Sequence, residues 1–63
     1  MQWDTRTVRG KRVYAEWDRE KNGRVTGIAS QCGRTPVDVY VRWDNGRRTV
    51  ECVGADIGLE QNK

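Results

Sequence analysis

The chain has no histidine and no phenylalanine, a single proline, a single serine (Ser30), and no long apolar run. Each absence excludes something. Without histidine there is no side chain that ordinarily exchanges a proton near neutral pH. Neither Cys32 nor Cys52 has an imidazole to activate it as a nucleophile, and no zinc set of the Cys/His kind can be assembled. A membrane-spanning helix needs roughly 20 mainly apolar residues, and none are present. The opening Met1-Gln2-Trp3-Asp4-Thr5-Arg6 has no apolar core of a signal peptide, so the expectation is a complete, soluble, cytoplasmic chain. No glycine-rich phosphate loop occurs, since Gly23 and Gly27 lie in or beside a hairpin. At 63 residues the chain is one domain that buries only about 60% of its unfolded surface, too small for a deep cleft without oligomerisation. The expectation is therefore no enzyme, no cofactor and no metal.

What the chain does carry is charge. Charged residues make up 33% of it, above the usual level of about 25%. Lys plus Arg number 12 against 9 Asp plus Glu, a formal +3, and nine of the twelve cations are arginine. Arginine presents a planar fork suited to phosphate, carboxylate and aromatic faces, although a genome rich in arginine codons gives the same bias. The two cysteines form no CxxC pair. Free thiols are the intracellular default, and a bridge would require Cα atoms within about 7 Å.

Two Asn-Gly pairs, Asn22-Gly23 and Asn45-Gly46, predict two β-hairpins, because both residue types tolerate positive φ. The first is expected to run out along 11–17, turn through 18–23 and return along 24–30. Val13, Ala15 and Trp17 then share one face, opposite Tyr14 and Glu16. Val25 and Ile28 are three apart, so a bulge at Gly27 is needed for both to face inward. In the second, Val37, Val39, Val41 and Trp43 alternate with Asp38, Tyr40 and Arg42, the period of a half-buried strand. The return predicts Val50 and Cys52 toward the core. Gly33 and Pro36 break the chain between the hairpins, 54–57 reads as a tight turn, and 58–60 as a last short strand. Residues 1–9 read as a basic N-terminal arm, mobile or docked through Trp3, residues 10–60 as the folded unit and 61–63 as a polar tail. No stretch has helical periodicity. The fold class expected is all-β, a small barrel of four to five antiparallel strands, since closure removes exposed edges at this length.

The segments Val13-Tyr14-Ala15-Glu16-Trp17, Asn22-Gly23-Arg24-Val25-Thr26-Gly27-Ile28, Val39-Tyr40-Val41-Arg42-Trp43-Asp44-Asn45-Gly46 and Asp56-Ile57 resemble the Tudor-like branch of the SH3-like barrels, and in outline the KOW modules of ribosomal and transcription proteins. The resemblance covers about 10–60 and implies an SH3-like barrel. SH3-like barrels host many roles, so it does not by itself imply one. Methyl-reading Tudor domains are similar at Trp17 but carry further aromatics where this chain has Arg24 or Val25, and Asp44. The aromatic cage is thus incomplete here.

Two binding readings follow. In the first, Arg9, Lys11, Arg12, Tyr40, Arg42, Arg47 and Arg48 form a cationic surface with an aromatic centre that binds nucleic acid, phosphates on arginine and a base on Tyr40. The plain counterpart is a solvated face balanced by Asp38, Asp44 and Glu51. In the second, Tyr14, Trp17 and Trp43 line a groove for a peptide or a partner's strand, or the chain self-associates. Its counterpart is that the tryptophans plug a core short of large residues and the tyrosines pack across strands. Either way the expectation is an accessory or regulatory binding protein whose partner is nucleic acid or protein and not a membrane.

Overall fold

The computed structural model describes residues 3–60. The first two residues and the expected tail at 61–63 lie outside them. Five strands follow in order: β1 (Arg12–Ala15), β2 (Asp18–Cys32), β3 (Thr35–Trp43), β4 (Arg48–Cys52) and β5 (Ile57–Leu59). They form one antiparallel sheet in the spatial order β4-β3-β2-β1-β5. There is no helix among the described residues, and so none long and apolar enough to cross a membrane. The sheet does not close into the expected barrel. Its edges β4 and β5 do not pair as strands; only a lone parallel bridge joins Val53, just past the end of β4, to Ile57 at the start of β5.

The 15-residue β2 is the spine, and its register against β3 slips between Val25 and Gly27, Ile28 and Ser30, and Ser30 and Gln31. Each slip bends the strand and increases its twist. The first lies where the Val25/Ile28 spacing requires a bulge: Val25 is fully buried and Ile28 packs against the core from a half-buried position. The core is Val8, Val13, Ala15, Val25, Val39, Val41, Trp43 and Ile57, with Trp3, Val53 and Leu59 packed on it. The stretch read as an N-terminal arm is docked over residues 3–9: Val8 is buried, and the Thr5 N–H donates to the Arg34 carbonyl at 2.8 Å.

The two Asn-Gly pairs differ. At Asn45-Gly46 the hairpin forms as expected. The Gly46 N–H donates to the Trp43 carbonyl at 2.8 Å, the Trp43 N–H to the Arg47 carbonyl at 2.7 Å, and Gly46 takes φ 93°. That is a type I turn closed by a glycine in the left-handed region. At Asn22-Gly23 there is no turn. Both residues lie within β2, Asn22 opposite Tyr14 and Gly23 between Val13 and Trp43. The chain reverses earlier, through Glu16 and Trp17. Glycine is required at 23 for space: a Cβ there would lie 2.8 Å from the Arg42 carbonyl oxygen and 2.9 Å from Val41 Cγ1. A third reversal, at Gly33-Arg34, has Gly33 at φ 59° in the first position of a two-residue loop, as a type II′ turn demands.

Four expected core positions face outward. Trp17, in the first reversal, is 57% exposed. Val37 is the extra residue where the β2–β3 register slips, so it turns away from the side occupied by Pro36 and Val39. In β4 the register pairs Thr49 with Val41 and Val50 with Tyr40, which puts Val50 and Cys52 on the outer face and Thr49 and Glu51 toward the inner one. A one-residue change of register exchanges every side chain between faces, and the three-residue loop at 44–46 decides it. Cys32 and Cys52 are free thiols.

Candidate nucleic-acid interface

The register places four arginines in one row. Arg12 on β1 is opposite Arg24 on β2, Arg24 opposite Arg42 on β3, and Arg42 opposite Arg48 on β4. Directly opposed residues share a face and have Cβ atoms about 4.5–5.5 Å apart. The row therefore crosses four strands on the outer surface, opposite the face buried by Val13, Val25 and Val41. Only Arg12 is neutralised. It makes a two-pronged contact with Asp44, Nη1 to Oδ1 and Nη2 to Oδ2 both at 3.1 Å, and lies 3.5 Å from Glu60. Hydrogen bonds from Arg12, then the charges of Arg12 and Arg24, hold the Asp44 carboxyl below its ordinary value against the opposing effect of desolvation. Arg24 donates one bond to the Gly10 carbonyl at 3.0 Å, which steadies its guanidinium. Arg42 and Arg48 form no ion pair with any described residue. A hollow of about 310 Å³ opens among Arg12, Arg24 and Arg42, with Thr26, Asp44 and Gly46 on its rim.

Tyr40 lies two residues from Arg42 on the same face and is 48% exposed. It is opposite Gly27 and Val50, and its ring leans across Gly27, where a Cβ would sit 3.4 Å from Tyr40 Cδ2. On the far side of Tyr40, Asp38 accepts a hydrogen bond from Ser30 at 3.0 Å.

Of the seven residues expected to contact nucleic acid, the structure brings Arg12, Tyr40, Arg42 and Arg48 together. Arg47 instead borders the opposite groove. Arg9 is exposed in the turn before β1, and Lys11 is half-buried beside Trp3, Val8 and Leu59. Arg24, not among the seven expected residues, joins the row opposite Arg12 and Arg42. Its position becomes evident only once Asn22-Gly23 is placed in a strand.

A second concavity of about 370 Å³ lies at the other side of the β3–β4 hairpin, lined by Trp17, Glu20, Asn22, Trp43, Arg47 and Glu51 among others. Trp17 meets Trp43 edge to face, with ring centroids 5.7 Å apart and planes at 64°. Trp43 is 7% exposed and donates from Nε1 to the Thr49 hydroxyl at 2.7 Å, so it is both core and groove floor. Tyr14, expected in this groove, is not among its lining residues. It covers Gly58 on β5, with the Arg19 guanidinium 5.0 Å from its ring centroid.

No cluster of three or more Cys, Asp or Glu among the described residues is arranged to hold a metal ion. Compared with known proteins, the chain matches no family model, and no curated protein and no solved structure is significantly similar to it.

Proposed function

We propose that this chain is a small non-enzymatic binding module, an open relative of the SH3-like barrels, that binds nucleic acid through the outer face of its sheet as an accessory or regulatory protein. The single observation carrying this reading is the cross-strand row Arg12-Arg24-Arg42-Arg48. Like charges directly opposite one another destabilise a sheet. Three neighbouring cations without a carboxylate partner are an arrangement that a polyanion relieves. Phosphate contacts by Lys and Arg release condensed counterions, so affinity falls steeply with salt. Titrating labelled oligonucleotides between about 50 and 200 mM salt tests the reading. Binding that weakens with salt and is weakened by Arg42→Gln supports it. An affinity indifferent to salt, or to Arg42→Gln, refutes it.

The exposed Trp17 beside the 370 Å³ groove favours a second reading, a protein-interaction module. Trp17→Ala, folded but no longer capturing a partner from host extract, would support it. Undiminished capture by that variant would remove it.

A further inference from the structure

We infer that the nucleic acid taken by this face is single-stranded, its backbone running across the strands along the arginine row and one base stacked on Tyr40. The inference rests on the reading above and narrows it.

Three features of the outer face support a single strand. The first is direction. Adjacent strands are about 4.8 Å apart, so the row from Arg12 to Arg48 spans roughly 14 Å perpendicular to the strands. Acids border it along the strands: Asp44 lies beyond Arg42 in the β3–β4 loop, and Asp38 lies beyond Tyr40 on the same face. With Asp38 at one end of β3 and Asp44, already paired with Arg12, at the other, the unpaired positive charge of this face lies along the row, and a phosphate chain follows it. The hollow among Arg12, Arg24 and Arg42 provides a seat on that line.

The second feature is the aromatic platform. Tyr40 is one residue pair removed from Arg42, about 7 Å along β3. That matches the reach of one nucleotide from phosphate to base. The ring is half exposed over Gly27, where no side chain competes for the space. Val50 on the neighbouring strand, 51% exposed, extends the apolar surface at its side.

The third is what a duplex lacks. Its base faces are stacked internally, so it can use the arginines but not Tyr40. A single strand uses both, and stacking tolerates any base because each has a π-face. With Arg12 held by Asp44, three arginines are available, and neutralising three phosphates of a single strand predicts a salt slope of about −2 in log–log form. The footprint is short, on the order of four nucleotides.

Fluorescence anisotropy tests this with labelled oligothymidylate, oligouridylate and a mixed-sequence duplex of equal length, against wild-type protein and the variants Tyr40→Phe, Tyr40→Leu and Arg42→Gln. Circular dichroism confirms that each exposed-site variant is folded. The expected result is that one or both single strands bind about tenfold or more tighter than the duplex. Tyr40→Phe retains binding, and Tyr40→Leu weakens it about tenfold without changing the salt slope. Arg42→Gln makes the slope shallower by about 0.7. Equal affinity for the duplex, or an unaffected Tyr40→Leu, overturns the single-strand path while leaving polyanion binding intact. No binding of either form at low salt overturns both.

Discussion

Arg24 and Arg42 stand directly opposite each other on the outer face of the sheet, each followed by a buried residue, Val25 and Trp43, that anchors its strand. The core thus forces two like charges into adjacency. Removing one should relieve repulsion, a gain of about 0.2–1 kcal/mol for a cross-strand pair. Arg42→Gln is expected to melt a few degrees higher than wild type, as a small domain gains about 4–8 °C per kcal/mol. Differential scanning fluorimetry checks this. A lower melting temperature would mean that Arg42 stabilises the sheet, and the case that the row exists for a ligand would fall.

Gly23 and Gly58 both sit where a Cβ would clash, but the obstacles differ. At Gly23 they are the Arg42 backbone carbonyl and a core valine. At Gly58 they are ring atoms of Tyr14, which a Cβ would approach to 2.5 Å. A half-exposed ring can swing away; a central β-ladder cannot. Gly23→Ala should therefore cost at least 1–3 kcal/mol, about the range for overpacking, and Gly58→Ala markedly less. Urea unfolding of the two variants orders them, and the reverse order would contradict the packing described.

The two tryptophans of the groove should separate cleanly. Trp43 is core, and Trp43→Ala is expected to cost about 3–5 kcal/mol. Trp17 contributes mainly its edge-to-face contact, so Trp17→Ala should cost about 0.5–1.5 kcal/mol. Denaturation followed by circular dichroism distinguishes them without relying on indole fluorescence.

Acid should loosen the link between β1 and the β3–β4 loop. The folded Asp44 carboxyl is held below its ordinary value by Arg12. Its contribution is therefore present above the unfolded value near pH 4 and is lost as pH falls through the lower folded value. Asp4, lowered first by the Arg6 N–H and then by its side chain, acts in the same direction. Melting temperature against pH should fall more gently below about pH 4 in Asp44→Asn than in wild type. An identical acid limb would show that the Arg12–Asp44 contact does not contribute.

The same substitution releases Arg12 from its two-pronged contact with Asp44, leaving only the longer contact with Glu60. Asp44→Asn should tighten oligonucleotide binding and steepen its salt slope by about 0.7, the increment for one more phosphate contact on a single strand. An unchanged slope would show that Arg12 takes no part in binding.

The all-β character, the Asn45-Gly46 hairpin, the inward set Val39, Val41 and Trp43, and the register slip beside Gly27 were legible in the sequence. Each is local, arising from period-two alternation, a positive-φ glycine, or a spacing of three where two is required. Tertiary packing decided the rest. Asn22-Gly23 has the composition of a turn, yet the close approach of β3 makes Gly23 a strand residue. Val50 and Cys52 lie outward because a three-residue loop sets the register of β4. The arginine row unites positions 12, 24, 42 and 48, whose separations carry no periodic signal. Only the pairing of four strands brings them side by side, because hydrogen-bonded register, and not distance along the chain, determines which side chains meet across a sheet.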